Sequence, residues 1–274
     1  MDKPIPKRRL GKTGLEVTIL GLGGEGILRT FGQDKEAVEL ISAAVDLGIN
    51  YLESARAYAG SELYYGQALK GKRDKVYLAS KSHARDKAGA LAHLQETLKN
   101  MGTDYLDVWQ IHDVRTEDDI NKIFAPGGAI EAFAEAKAKG LARFIGVTGH
   151  EDPEVLKRCL ELFDFDTVLI PVNPAEHAYK CFSEEIIPIA GAKDMGVVGM
   201  KVYMRGRLNA PKKLLFSYAL TQPISTAVVG CDSIEQLNEN AEGASNYQPF
   251  KLKEIERLHH LVSPYARELM YYKP

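Results

Sequence analysis

Short apolar runs and segments with helical periodicity alternate along most of the chain. Eight runs have the length of a β-strand, at residues 19–22, 51–54, 76–80, 108–111, 144–148, 167–171, 197–201 and 227–229. Between them, apolar positions recur with helical spacing at residues 35–47, 63–69, 87–101, 130–139, 153–162, 183–195 and 214–220. Strands separated by helices are typical of parallel pairing with right-handed crossovers. Eight such units can close a ring, so the pattern favours an α/β fold of the (β/α)8 TIM barrel type.

The main alternative to a barrel is an open, doubly wound sheet. That architecture is usually marked by G-x-G-x-x-G after a strand, and Gly21-Leu22-Gly23-Gly24 lacks this spacing. Residues 8–17 have a strand, turn, strand pattern, which predicts an N-terminal β-hairpin that plugs the bottom of the barrel. The amphipathic residues 252–269 lie beyond the eighth unit and predict an extra C-terminal helix.

Composition narrows the class of protein and of partner. The 274 residues are 45% hydrophobic and 26% charged, the size and balance of one barrel domain, so a single domain is predicted over residues 1–274. Thirty-five Lys and Arg oppose 37 Asp and Glu, for a net charge of −2, without a long run of either sign. This balance argues against nucleic acid and membrane partners and favours a small molecule.

Targeting signals and metal-binding spacings are not visible in the sequence. The amino-terminal residues contain no apolar signal core, and no 18 apolar residues run together, so we expect a cytoplasmic protein. The three cysteines (Cys159, Cys181 and Cys231) are far apart in sequence, which indicates neither a disulfide framework nor a metal site. Nothing in the pattern sets the oligomeric state.

Candidate chemistry gathers where three predicted strands end. Glu53 closes a strand at residues 50–54, Tyr58 follows five residues later, and Ser61 after Gly60 is predicted to cap the next helix. Lys81 and His112 directly follow two other strands. Barrel enzymes place their chemistry at the carboxyl ends of strands, so these side chains can face one pocket. A lone lysine or histidine there is otherwise a surface residue or a structural hydrogen-bonder.

Together, Glu53, Tyr58, Lys81 and His112 form a usable acid–base set. Reduction of a carbonyl needs hydride on carbon and a proton on oxygen, and a tyrosine with a pKa of about 10 is a weak acid unless a cation stabilises its phenolate. Lys81 can supply that charge, a carboxylate can orient the lysine, and His112 can hydrogen-bond the substrate oxygen.

Two motifs carry a resemblance to a known family. Residues 48–62 fit G-x-N-x-x-[acid]-[ST]-A-x-x-Y-x-x-S-E, and residues 104–112 fit D-Y-[IL]-D-x-x-x-[IL]-H. Both resemble the aldo-keto reductases, although that family normally has Asp where this chain has Glu53. The resemblance implies an oxidoreductase that reduces an aldehyde or ketone, or runs the reverse reaction, with a nicotinamide cofactor and Tyr58 as proton donor.

The same resemblance implies contacts to the nicotinamide and pyrophosphate. Residues 145–150 resemble I-G-[VF]-[ST]-[NG]-x, in which Thr148 and Gly149 would hold the carboxamide. Asn173 is predicted with them, while Leu169 stands where many members have a glutamine. Met200 takes the place of an aromatic that stacks on the nicotinamide. The pyrophosphate is expected near Lys201, Arg205 and Arg207.

The segment at residues 229–240 resembles the family's adenosine-binding ending. It predicts cofactor contacts from Gly230, Cys231, Asp232, Gln236, Glu239 and Asn240. The basic residues that usually grip a 2′-phosphate would fall at Gly230 and Gln236, so a bidentate Arg contact is absent. The cofactor is therefore predicted as NADP(H) or NAD(H), with the preference open.

Two other functions fit the sequence. The changed nicotinamide contacts leave an acid–base set that could serve a redox-neutral lyase or isomerase. A non-catalytic, nucleotide-sensing barrel is the other alternative, since fold does not prove activity. The substrate is predicted only as a small-molecule carbonyl or alcohol, bound by loops such as residues 113–126.

Overall fold

The computed structural model describes residues 3–274, and its first two strands form the expected hairpin. β1 (Lys7–Arg9) pairs antiparallel with β2 (Glu16–Thr18). Leu10, Leu15 and Val17 pack against apolar residues inside the barrel. The hairpin turn approaches the backbone at the start of a barrel strand so closely that a Cβ on Gly11 would lie 2.2 Å from the Gly196 nitrogen. The hairpin therefore plugs the amino-terminal end of the barrel.

Eight parallel strands close into a barrel, as predicted. They are β3 (Leu20–Gly26), β4 (Tyr51–Glu53), β5 (Tyr77–Ser82), β6 (Leu106–Ile111), β7 (Ala142–Thr148), β8 (Thr167–Pro171), β9 (Gly196–Met200) and β10 (Thr226–Cys231). β10 pairs with both β9 and β3, which completes the ring. Because both faces of such a ring are covered, its strands are largely buried and mostly apolar rather than alternating.

Helices surround the barrel. They are α1 (Asp34–Asp46), α2 (Ser61–Ala68), α3 (Lys87–Met101), α4 (Glu117–Phe124), α5 (Ala129–Ala138), α6 (Pro153–Leu162), α7 (Phe182–Glu185), α8 (Ile187–Ala192), α9 (Lys212–Thr221), α10 (Ile234–Ser245), α11 (Leu252–Val262) and α12 (Ala266–Leu269). The main core lies between these helices and the outer faces of the strands. The described residues 3–274 include no helix long and apolar enough to cross a membrane.

Several predicted elements needed correction. The helix predicted at residues 183–195 is two short helices, α7 and α8, with Pro188 in the first turn of the second. The C-terminal helix breaks near Pro264, because proline cannot continue the hydrogen-bond ladder. The predicted loop at residues 113–126 contains α4, which begins with a capping box between Thr116 and Asp119.

The predicted cap of α2 was also wrong. Gly60, with φ of 80°, precedes the helix, and Ser61 is its first helical residue. Instead of capping, the Ser61 hydroxyl accepts a hydrogen bond of 2.7 Å from the Ser54 hydroxyl. This contact ties the start of α2 to the end of β4, across the loop that carries Tyr58.

Candidate active site

The four predicted catalytic residues meet at the carboxyl end of the barrel. Glu53 ends β4, Lys81 lies near the end of β5, His112 directly follows β6, and Tyr58 lies in the loop between β4 and α2. The three strands are neighbours in the ring, which brings residues from distant parts of the sequence together.

The buried carboxylate of Glu62 anchors the loop that carries Tyr58. Glu62, only 2% exposed, accepts hydrogen bonds from the Ser80 hydroxyl at 2.9 Å and the Thr97 hydroxyl at 2.7 Å. It also pairs with Arg56. The conspicuous Ser-Glu pair that closes the first motif is thus structural, because it fixes α2 and its preceding loop against β5 and α3.

Glu53 and Lys81 form a buried ion pair at the base of the site. The Lys81 ammonium donates to Glu53 Oε1 at 2.8 Å and to the Ser54 carbonyl at 2.9 Å, and both charged side chains are almost fully enclosed. Burial lowers the pKa of Lys81, but the negative charge of Glu53 and the nearby phenol of Tyr58 outweigh it, so the pKa is raised overall. The lysine is therefore a cation at neutral pH.

Tyr58 lies between this ion pair and His112. The Lys81 nitrogen is 4.9 Å from the centre of the Tyr58 ring, and the His112 ring meets the tyrosine edge-on at 5.8 Å. Burial raises the pKa of Tyr58 above its ordinary value, and the lowering by Lys81 offsets this only in part. The lysine thus acts in the expected direction, while the phenol stays protonated at neutral pH.

His112 is a neutral hydrogen-bonding group. Burial lowers its pKa well below the ordinary value, and the positive charge of Lys81 and the nearby His150 lower it further. An uncharged imidazole can donate a hydrogen bond from one ring nitrogen to a carbonyl oxygen. Unlike an imidazolium, it does not compete with Tyr58 as the acid.

Gln110 also contacts the site, although no sequence motif predicts it. Its side chain is fully buried inside the barrel, and its amide nitrogen donates to Glu53 Oε2 at 3.3 Å. Glu53 therefore has Lys81 on one carboxylate oxygen and Gln110 on the other. The only available signal was a polar residue within the apolar strand β6.

A cleft of about 1020 Å³ opens above these residues. Near Tyr58 it is lined by polar residues that include Arg29, His83, Arg115 and His150. It then runs across the ends of β3, β9 and β10, where Gly24, Met200, Lys201, Arg205, Gly230, Asp232 and Gln236 line it. The cleft is large enough for a cofactor and a small substrate together, since drug-sized pockets occupy roughly 300–1,000 Å³.

Lys201 is a cation without an anionic partner. Its backbone has φ of 60°, and burial lowers the pKa of its ammonium. Among residues 3–274, no carboxylate lies within ion-pair distance of it. Arg205, on the same connection between β9 and α9, lies 4.7 Å from the ring of Tyr271 and 3.9 Å from Glu25. The cleft thus presents positive charge where a phosphate could bind.

The cleft wall between β3 and β10 is built of glycine backbone. A Cβ on Gly24 would lie 2.8 Å from the Tyr58 ring, and one on Gly26 would lie 2.6 Å from the Cys231 carbonyl oxygen. The absence of side chains here lets the Tyr58 ring and the Cys231 backbone pack directly against β3. The unpaired Lys201 beside this wall fits the phosphates of a nicotinamide dinucleotide.

Other predicted cofactor residues already have partners within the protein. The Thr148 hydroxyl accepts from the Asp113 amide at 2.7 Å, and Gly149 directly follows it. Arg207 donates to the Glu268 carbonyl, and Glu239 pairs with Lys212. Asn240 is buried and contacts the Cys231 sulfur and the Tyr203 hydroxyl. Their roles towards a cofactor stay predictions.

Asn173 belongs to a buried network that anchors the chain's last residues. Its amide donates to the Tyr272 hydroxyl at 2.7 Å, and that hydroxyl donates to Glu176 at 2.7 Å. Glu176 also pairs with Lys273 at 2.8 Å, with both side chains enclosed. The network places Tyr271 at the cleft, with the guanidinium groups of Arg205 and Arg207 each 4.7 Å from its ring.

Comparisons with known proteins identify the family of this chain. The family model described as "Aldo/keto reductase family" matches residues 19–213. An uncharacterized oxidoreductase, YqkF of Bacillus subtilis, is 26% identical, and the match covers 92% of this chain and 95% of the relative. L-galactose dehydrogenase of Arabidopsis thaliana is 25% identical, with 89% of both chains covered.

A solved structure shows the same architecture. The holo form of aldo-keto reductase AKR11C1 from Bacillus halodurans superimposes with a TM-score of 0.80 at 25% identity, over 94% of this chain and 96% of that one. The family match spans the strands that carry Glu53, Tyr58, Lys81 and His112. The chain therefore belongs to the aldo/keto reductase family and is an NAD(P)-dependent oxidoreductase that acts on carbonyl compounds or the corresponding alcohols.

Proposed function

We propose that Tyr58 is the proton donor in the reduction of a small aldehyde or ketone. The observation that carries this proposal is the phenol of Tyr58, held between the buried Lys81–Glu53 ion pair and the neutral His112. A bound nicotinamide cofactor supplies the hydride. The protein's residues supply the proton, the orientation and the electrostatic stabilisation.

Each residue has a distinct part in the proposed mechanism. Tyr58 transfers its hydroxyl proton to the substrate oxygen as negative charge develops there. Lys81 stabilises the phenolate that remains, because its ammonium lies against the tyrosine ring. Glu53 holds the ammonium in place, and His112 donates a hydrogen bond to the carbonyl oxygen, which directs the substrate toward Tyr58.

The cofactor would occupy the part of the cleft formed by the ends of β3, β9 and β10. Met200 would pack on the nicotinamide, while Lys201 and Arg205 would neutralise the pyrophosphate. The redox-neutral and the non-catalytic alternatives have no observation in their favour. A cytoplasmic location stays a prediction from the sequence.

Substitution of Tyr58 tests the proposal. Tyr58→Phe removes the only proton that this residue can give, so kcat should fall by about 10²–10⁴-fold, the usual effect of losing an acid–base group. Dinucleotide binding, measured by fluorescence titration, should remain. Tyr77→Phe serves as the matched control, because Tyr77 lies at the end of β5 opposite to Lys81, and it should leave kcat unchanged. A Tyr58→Phe enzyme with nearly full carbonyl reduction would contradict the proposal.

A further inference from the structure

We propose that Asp232 makes this enzyme select NAD(H) over NADP(H). The inference rests on the proposed function, in which the dinucleotide lies along the cleft with its nicotinamide beside Tyr58. It goes beyond that function because it names the residue that determines which of two cofactors binds more tightly. The two cofactors differ by a single phosphate group.

The position of the reaction fixes the direction of the cofactor. Hydride must reach the carbon whose oxygen receives the Tyr58 proton, so the nicotinamide has to lie near Tyr58. From there the cleft continues past the end of β3 to the connection between β10 and α10, where Gly230, Asp232 and Gln236 line it. In this direction the adenosine ribose, at the far end of the dinucleotide, would lie beside Asp232.

The amide groups at this end of α10 are already engaged by side chains. The backbone N–H of Asp232 donates to Gln236 Oε1 at 3.1 Å, and the N–H of Gln236 donates to the Ser233 hydroxyl at 3.3 Å. A helix amino terminus binds phosphate through free amide groups. Here two of these donors are occupied, which leaves less to hold an additional phosphate.

Two cations that line the cleft near this end already lie beside carboxylates. Lys212 pairs with Glu239 at 3.3 Å, and Arg205 lies 3.9 Å from Glu25. Position 230 cannot carry a basic side chain without rearrangement, because a Cβ there would lie 2.8 Å from the Glu25 backbone. A 2′-phosphate would therefore face the exposed carboxylate of Asp232, while Lys212 and Arg205 are already beside other carboxylates.

A ribose 2′-hydroxyl suits the same surroundings. A carboxylate accepts hydrogen bonds, and an acidic residue that accepts one from the ribose hydroxyl is a common means of selecting NAD over NADP. With NADP(H), repulsion between the 2′-phosphate and the Asp232 carboxylate would replace this favourable contact. At a solvent-exposed site, that difference is enough to change the affinity roughly tenfold or more. Asp232 therefore favours the unphosphorylated cofactor in two ways.

Equilibrium titration of the enzyme with NADH and with NADPH, followed by the fluorescence of the bound nicotinamide, tests the proposal without turnover. The wild-type enzyme should bind NADH at least about tenfold more tightly than NADPH. Asp232→Asn should weaken NADH binding and strengthen NADPH binding. Asp232→Ser combined with Gln236→Arg should reverse the preference. Added salt should reduce the difference between the affinities of the wild-type enzyme for NADH and NADPH, because salt screens the repulsion of the 2′-phosphate.

The matched control removes one negative charge farther along the same helix. Glu242→Gln should leave the ratio of the two dissociation constants unchanged. Equal or tighter binding of NADPH by the wild-type enzyme would overturn the inference about Asp232 and leave the Tyr58 mechanism standing. An unchanged ratio in Asp232→Asn would overturn it as well. If neither dinucleotide binds, the proposed function itself fails together with this inference.

Discussion

A glutamate replaces the usual aspartate beside the lysine, and Gln110 accounts for its longer reach. The Glu53 carboxylate contacts Lys81 with one oxygen and Gln110 with the other. An aspartate would be shorter by one methylene, about 1.5 Å, and could not keep both contacts without movement. The interactions of Glu53 lie within the protein, which fits a residue that orients Lys81 rather than one that attacks substrate.

Single and paired substitutions can separate these contributions. Glu53→Gln should lower kcat by roughly 10²–10⁴-fold, because Lys81 loses its counter-charge, whereas Glu53→Asp should retain nicotinamide-dependent reduction. Gln110→Leu should lower kcat in the wild-type enzyme and have a smaller effect in Glu53→Asp, since the shorter side chain no longer reaches the amide. Steady-state kinetics of the four variants in a double-mutant cycle measure this. Equal effects of Gln110→Leu in both backgrounds would show that the two residues act independently.

At the scale of elements, the chain's last residues are held by a buried ion pair rather than by a regular helix. Lys273 pairs with Glu176 and also donates to the carbonyls of Tyr179 and Lys180. Since Tyr272 joins the same carboxylate, the whole segment is fixed to the loop that follows β8. Tyr271 is thereby held at the mouth of the cleft.

Removing the buried ammonium should destabilise the protein strongly. Lys273→Met leaves Glu176 buried without its partner, so the free energy of unfolding should fall by about 3–5 kcal/mol. The double variant Lys273→Met/Glu176→Gln should lose less, because no uncompensated charge remains. Urea denaturation measures both, with the exposed Lys253→Met as control. A loss below about 1 kcal/mol would mean that the pair is not buried in solution.

The order of strands and helices was largely readable from the sequence, and their ends were not. Each apolar run became a barrel strand because strands enclosed on both faces are mostly apolar. α4 was missed because its first turn, Glu117-Asp118-Asp119, has the composition of an exposed loop. Those acidic residues instead stabilise the helix through the dipole at its amino terminus.

The site was predictable only where its residues follow strands within recognisable motifs. Glu53, Tyr58, Lys81 and His112 could be selected because strand ends meet at one face of a barrel. Gln110 and the Glu176–Lys273 pair depend on contacts between segments far apart in sequence, which periodicity does not reveal. Burial decided the pKa of Tyr58, and a sequence does not show how deeply a loop tyrosine is enclosed.

For the molecule as a whole, the lowered pKa values of its histidines indicate how the stability of the fold depends on pH. Burial lowers the pKa of five histidines, namely His83, His93, His112, His150 and His259. Their unfolded pKa is about 6.5, so below that pH the unfolded chain binds more protons than the folded one. Protonation therefore favours unfolding, and stability should fall as the pH drops below about 6.5.

Thermal unfolding at several pH values tests this expectation. The midpoint should be highest at neutral pH and should decrease between about pH 6.5 and 5, before most carboxylates begin to titrate. His93→Gln should reduce the slope in that window. A single transition is expected if residues 1–274 form one domain. A midpoint that stays level or rises on acidification would contradict the predicted role of the buried histidines.

The hairpin that plugs the barrel offers a place to attach the enzyme to a surface. Its turn lies at the end of the barrel opposite the cleft. Gly14 in the turn has φ of 70°, which favours glycine, whereas the neighbouring Glu16 is exposed at the start of β2 and can be replaced. A cysteine or a short peptide tag introduced at this turn would orient every immobilised molecule with its cleft toward the solution. An electrode or bead coated in this way would leave the path for substrate and cofactor open.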